Sequence, residues 1–118
     1  MAFRFQNYTI YQDIRIYVKE VYAVANKLPR QEQFELASQL RRAATSILLN
    51  FAEGCMRKSD AEFRRFILIS IGSTGEAVAI LDLCLDQKYI STSVHSSYVI
   101  KSETIAKRLY GFIKKLKV

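Results

Sequence analysis

The sequence predicts an all-α fold, an up-down-up-down antiparallel four-helix bundle, and three observations lead there. The 118 residues hold one proline and four glycines, too few breakers for a fold of many short strands. Apolar residues recur at steps of three and four along four separate segments. The links between segments are short, which makes sequential helices antiparallel neighbours. Half the residues are hydrophobic, enough to fill one core, and the length suits a single domain over residues 1–118.

The first helix is expected over about 8–27. Ile10, Ile14, Tyr17, Val21, Val24 and Leu28 step by four and three along one seam, as in bundle helices. Pro29 ends it, lacking an N–H and disfavouring helix in the residue before it. The second helix is expected over 31–53, with Leu36, Leu40, Ala43, Ala44, Ile47 and Phe51 on one face and Gly54 as a left-handed C-terminal cap. Ser59-Asp60-Ala61-Glu62 reads as a capping box opening the third helix, 60–87. Its stripe is Phe63, Phe66, Ile67, Ser70, Thr74, Ala77, Val78, Leu81 and Leu85. The fourth helix, 93–116, has Ser91 or Ser93 as its cap and carries Tyr98, Ile105, Leu109, Phe112, Ile113 and Leu116. Lys114, Lys115 and Lys117 in its last turn suit the helix dipole.

Helix three is apolar on more than one side. At about 100° per residue, Ile69, Ile80 and Leu83 fall on a second arc, near Gly72 and Glu76. Ile16 and Leu49 also lie off their seams. A helix apolar nearly all round is buried nearly all round, so Leu49, Ile69, Gly72, Ile80 and Leu83 are candidate subunit-interface residues. Gly72 and Gly75, three apart, would let another helix approach closely. The expected state is a homo-oligomer.

A polar stripe runs down helix two: Gln39, Arg42, Ser46, Asn50 and Glu53 share an arc of about 80°, with Glu76 of helix three able to meet it. The stripe can be a hydrogen-bonded network fixing register or a subunit contact, a ligand or nucleic-acid contact, or a catalytic constellation. Against the last, Glu53 and Glu76 are the sole acid–base pair in view, and no nucleophile stands beside them. The lone histidine, His95, lies in a serine-rich stretch with no aspartate or cysteine at useful spacing and reads as a surface residue. There is no phosphate-cradling glycine loop. Cys55 and Cys84 make neither a disulfide framework nor a metal motif. No catalytic residue, metal site or cofactor is expected.

Eighteen Lys and Arg against eleven Asp and Glu give a net charge of +7, which permits an acidic partner such as RNA without requiring one. Adjacent Arg41 and Arg42 point about 100° apart and cannot serve one surface. Arg57, Lys58, Arg64 and Arg65 flank the turn between helices two and three and are the candidate phosphate contacts. A solvated positive face is the competing reading. The apolar run Phe66–Ile71 is too short to span a bilayer, and Met1-Ala-Phe-Arg-Phe lacks a signal-peptide core. The expectation is therefore a cytoplasmic protein without a membrane partner.

The run Gln39-Leu-Arg-Arg-Ala-Ala-Thr-Ser-Ile-Leu-Leu-Asn-Phe-Ala-Glu-Gly54, followed by Arg57, resembles the signature of the bacterial four-helix bundle family named after the 23S rRNA intervening sequence. Leu28-Pro29, Glu62-Phe63, Phe66, and Ile71-Gly72-Ser73 followed by Glu76 agree with it, so the resemblance covers about residues 8–116. The chain departs from the family's pattern at Tyr11, where a tryptophan is common, and at Glu35, where a glycine is. The resemblance implies assembly into a ring of five subunits, a ribosomal protein-like character, and a link to RNA. More distantly the chain resembles the accessory protein of diversity-generating retroelements, which binds a reverse transcriptase and nucleic acid. The function expected is a non-catalytic, basic, oligomeric scaffold that binds RNA or a nucleic-acid-processing protein. The alternative is a protein-binding adaptor with no nucleic-acid role.

Overall fold

The computed structural model describes residues 3–118; Met1 and Ala2, the first residues of the stretch read for a signal peptide, lie outside them. Four helices make up the fold: α1 (Thr9–Asn26), α2 (Leu36–Cys55), α3 (Asp60–Asp86) and α4 (Thr92–Ile113). Single 3-10 turns at Arg4–Asn7 and Arg30–Glu32 precede α1 and α2. At about 1.5 Å per residue, α3 is roughly 40 Å long, which sets the 44 Å long axis of the molecule.

Side-chain contacts fix the directions. Asp13 meets Arg108 and Glu20 meets Lys101, so α1 and α4 run oppositely. Ser46 meets Ser73 and Phe51 meets Phe63, so α2 and α3 do too. Tyr8 against Phe51 and Arg41 against Asn26 set α1 against α2, and His95 on Asp82 with Phe112 on Phe63 sets α4 against α3. The backbone of each helix runs beside its two sequence-cyclic neighbours and not beside its diagonal one, as an up-down-up-down bundle requires; large side chains such as Phe51 and Phe112 still meet across the centre.

The predicted seam of α1 is wholly buried, as are Leu40, Ala43, Ala44, Ile47 and Phe51 of α2. In α3, Ile80 and Cys84 belong to the core, while Val78 and Leu85 are half-buried. Ile80 is 4% exposed. It is therefore not an interface residue: α3 packs on both α2 and α4, so its buried arc is wider than a single stripe. By length and composition α3 could cross a membrane (mean hydropathy 1.7 over its best window), a property the shorter Phe66–Ile71 run did not reveal. In the bundle, part of that apolarity is used against two neighbours, about 39% of the window being buried.

Three boundaries differ from the sequence reading. Helix α2 starts at Leu36 rather than Gln31. Pro29 leads into the Arg30–Glu32 turn, and Glu35 (φ −117°, ψ −103°) is not helical. The Gln33 amide turns back to donate to the carbonyls of Ala25 (3.0 Å) and Leu28 (2.8 Å), satisfying the end of α1. Gly54 is no left-handed cap: α2 runs through it to Cys55, and no described glycine has a positive φ. The left-handed residue is Lys88 (φ 62°), after α3. There Tyr89 N–H donates to Cys84 O (2.9 Å) and Lys88 N–H to Leu85 O (2.9 Å), the two bonds of a Schellman ending. Helix α4 stops at Ile113, so the lysines follow its last turn.

Caps follow the sequence reading in part. Ser59 accepts from Glu62 N–H at 3.2 Å and Ser91 from Val94 N–H at 3.1 Å. The Glu62 carboxylate does not return to the cap but accepts from Arg65.

One buried polar pair joins the loosest seam, α1 to α4. The Tyr17 and Ser102 hydroxyls lie 2.7 Å apart, and Ser102 donates onward to Tyr98 O at 2.8 Å. Burial pushes the Tyr17 hydroxyl above its ordinary pKa, so it serves as a neutral donor. Ser102→Ala leaves that phenol buried without its partner and is expected to cost about 1–3 kcal/mol. Tyr17→Phe, which leaves Ser102 satisfied by Tyr98, should cost less. Urea titrations of the two variants check the order, and equal costs would remove the hydroxyl pair from the account.

Candidate nucleic-acid interface and the groove between α2 and α3

The antiparallel topology gathers the end of α2, the start of α3 and the tail of α4 at one end of the bundle. Tyr8, Phe51, Phe63 and Phe112 fill that end with near-perpendicular or tilted rings, their centroids 5.1–6.0 Å apart. Arg4 closes it, donating to the Cys55 carbonyl at 2.6 Å and so satisfying a C-terminal group of α2.

The α2–α3 turn brings Arg57, Lys58, Arg64 and Arg65 to this end, where Arg4 lies over Phe63 and the α4 tail, with Lys114, Lys115 and Lys117, comes back beside Asp60. The sequence reading saw the C-terminal lysines but did not place them beside the α2–α3 turn. Arg57 and Arg65 lie over the Phe66 ring from 4.7 and 4.6 Å. They also pair with Glu53 (3.3 Å) and Glu62 (3.1 Å). Arg65 holds the exposed Glu62 carboxyl below the usual range. Half of the predicted quartet is thus already engaged. Lys58 and Arg64 are exposed and make no ion pair among the described residues. Asp60 accepts from the Lys117 backbone N–H at 2.9 Å, which ties the α4 tail to this end.

The polar stripe of α2 divides. Its first half opens on a groove between α2 and α3 lined by Gln39, Arg42, Thr45, Ser46, Leu49 and Glu76, with a volume of about 590 Å³. Glu76 does meet the stripe, and Thr45 and Ser73, which lie in the signature segments, join it here. Ser46 bonds Ser73 across the helices at 2.9 Å, and the Asn50 amide donates to the Ser46 carbonyl (2.9 Å) and hydroxyl (3.0 Å). This half is therefore a register-fixing network on the wall of an open groove. Arg42 and Glu76 line it unpaired with each other. Glu53, engaged with Arg57, lies toward the basic end. Glu53 and Glu76 are thus held apart and make no acid–base pair.

Arg41 and Arg42 diverge as predicted. Arg41 donates to the Gln33 side chain (2.6 Å) and Asn26 (2.8 Å) and clamps the α1–α2 corner, whereas Arg42 faces the groove. His95 is pinned to Asp82 at 2.7 Å and is only 17% exposed. It fastens α4 to α3 rather than standing free on the surface. Cys55 and Cys84 are buried and unbridged. Burial pushes the Cys55 thiol up to about 11 despite the nearby Arg4, which suppresses thiolate reactivity.

The outer face of α3 is open. Leu68, Ile69 and Leu83 are exposed there, Leu49 on α2 is 64% exposed, and a Cβ on Gly72 or Gly75 would meet nothing within 4 Å. Packing within the chain gives no reason for either glycine.

Comparisons with known proteins agree with this architecture. A family model described as "23S rRNA-intervening sequence protein" matches residues 6–111. A crystal structure of a protein of unknown function from the S23 ribosomal protein family of Bacteroides thetaiotaomicron superposes with a TM-score of 0.83 at 24% identity. The match covers 91% of this chain and all of that one. No curated protein matches the chain.

Proposed function

Since this chain belongs to the family of 23S rRNA-intervening sequence proteins, we propose that it is a non-catalytic, homo-oligomeric scaffold whose basic end binds RNA. The observation that carries the reading is the gathering of Lys58 and Arg64, unpaired and exposed, with the Lys114–Lys117 cluster around one rigid aromatic plug. Charges held on a fixed frame present phosphate contacts at little ordering cost. A ring of five subunits, as the family resemblance suggests, would repeat this patch around one rim.

In fluorescence anisotropy with nuclease-treated protein and a single-stranded RNA, Lys58→Gln with Arg64→Gln is expected to weaken binding and leave the melting temperature unchanged. The salt slope should fall by about 1.4 for the two lost contacts. Unchanged affinity and slope would remove both residues from the interface.

Assembly would use the open face of α3. Leu49, Ile69 and Leu83 supply apolar area, and Gly72 permits close helix approach. Gly72→Leu fits the isolated subunit, where the site is empty, so its expected effect is on assembly alone: the mass by light scattering drops to that of a monomer of 13.6 kDa while helicity persists. An intact oligomer takes Gly72 out of the contact. The alternative, a protein-binding adaptor, draws on Ile16 and Ile100, 58% and 61% exposed; partner capture insensitive to salt would favour it.

A further inference from the structure

On the other side of the basic end, between α1 and α4, lies a cavity of about 450 Å³, within the roughly 300–1,000 Å³ of small-molecule sites. The half-buried rings of Tyr8 and Phe112 form its apolar wall. Lys107, Arg108 and Lys115 stand around it. Arg108 is engaged with Asp13 and Lys107 loosely with Glu103 at 3.8 Å, while Lys115 has no acidic partner among the described residues. The exposed Thr9 lines the same cavity. At this edge α1 begins with no side-chain cap and no acidic residue in its first turn, so the local potential is positive.

A second observation is independent of charge. Gly111 lies inside α4, where glycine is unfavourable relative to alanine, yet an added Cβ would meet nothing within 4 Å. Subunit packing does not require it. What it does is line the cavity, where any side chain would take up the space.

We propose that this cavity binds one nucleotide unit, its base against Tyr8 and Phe112 and its phosphate between Lys107 and Lys115. With the two rings set at 88° to one another, a base can stack on one and abut the other, and such a corner with Lys107 and Lys115 on the same rim suits a base joined to a phosphate better than either alone. The unit can be a free nucleoside monophosphate or one residue of an RNA strand. The site shares Lys115 with the basic end but includes neither Lys58 nor Arg64, and it does not depend on those two binding RNA.

The test is a chemical-shift titration of the full chain with adenosine 5′-monophosphate, adenosine, inorganic phosphate and a short oligoadenylate. The monophosphate is expected to shift Thr9, Phe112 and Lys115, with adenosine and phosphate each at least tenfold weaker. Gly111→Leu should abolish the shifts without lowering the melting temperature, and Lys107→Gln with Lys115→Gln should weaken binding tenfold or more. Lys58→Gln with Arg64→Gln should leave monophosphate binding intact, whatever it does to RNA affinity. Shifts at these residues from the oligoadenylate alone would identify a strand as the source; shifts from both would show that a free nucleotide suffices. No shift at these residues from either, or wild-type affinity in the folded Gly111→Leu protein, overturns the proposal. If Gly111→Leu does not fold, the lysine pair decides by the same tenfold criterion.

Discussion

Phe51→Ala is expected to destabilise the protein by about 3–5 kcal/mol, the range for removing a buried aromatic ring. Phe51 is fully buried and meets Tyr8, Phe63 and Phe112 with centroids 6.0, 5.6 and 5.2 Å away. It therefore contacts α1, α3 and α4 from α2 at the level where all four helices converge. The space left cannot collapse easily, because each neighbouring ring is also held by another. Such a loss is a large share of the ~5–15 kcal/mol that holds a typical domain together. Guanidinium denaturation checks it, and a cost under about 1 kcal/mol would show that the plug repacks. The same variant should loosen the frame that holds Arg57, Lys58, Arg64 and Arg65.

Gly54→Ala is the second. A Cβ there would sit 2.7 Å from Phe63 Cδ1, 3.0 Å from Phe66 Cβ and 3.2 Å from Phe63 Cε1. Phe63 is locked in the aromatic plug, and Phe66 lies under two guanidiniums, so neither can withdraw freely. Overpacking of this kind costs about 1–3 kcal/mol, while alanine in place of glycine in a helix returns up to about 1 kcal/mol. A net loss of about 1–2 kcal/mol is the expected result, with Gly54→Val worse. The control is Gly111→Ala, where nothing lies within 4 Å and a gain of up to about 1 kcal/mol is expected. Thermal melts of the two single variants should move in opposite directions. A rise in both would mean that α2 and α3 do not approach as closely at Gly54 as the packing requires; a fall in both would mean that Gly111 is not free of contacts.

The fate of Gly54 shows where reading a sequence stops. A glycine after a run of helical periodicity is most simply a left-handed cap. A glycine kept because a neighbouring ring lies where its Cβ would be looks the same in one dimension. Lys88 is the converse: nothing in a lysine announces a left-handed backbone, and the short link to α4 imposes it. Angle alone puts Ile80 outside the core, since one helix wheel does not record that α3 has two packing partners.

The basic end was partly visible. Arg57, Lys58, Arg64 and Arg65 are neighbours in sequence and were found together. The topology already implied that Lys114, Lys115 and Lys117 share their end, because an up-down-up-down chain returns the close of its fourth helix to the start of its third. The engagement of Arg57 and Arg65 with Glu53, Glu62 and Phe66, which leaves Lys58 and Arg64 as the available charges, needed side-chain positions.

By itself the sequence determined that the chain is four helices, which residues form most of the core, and that positive charge collects near the α2–α3 turn. These follow from local periodicity, breakers and composition, each set within a few residues. The tertiary structure decided that Gly54 is a contact point, that Ile80 is buried, that Glu53 and Glu76 stand apart, and that a cavity of about 450 Å³ opens beside Gly111. The physical reason is that each depends on the distance between residues far apart in the chain, a distance set by how the helices pack against one another.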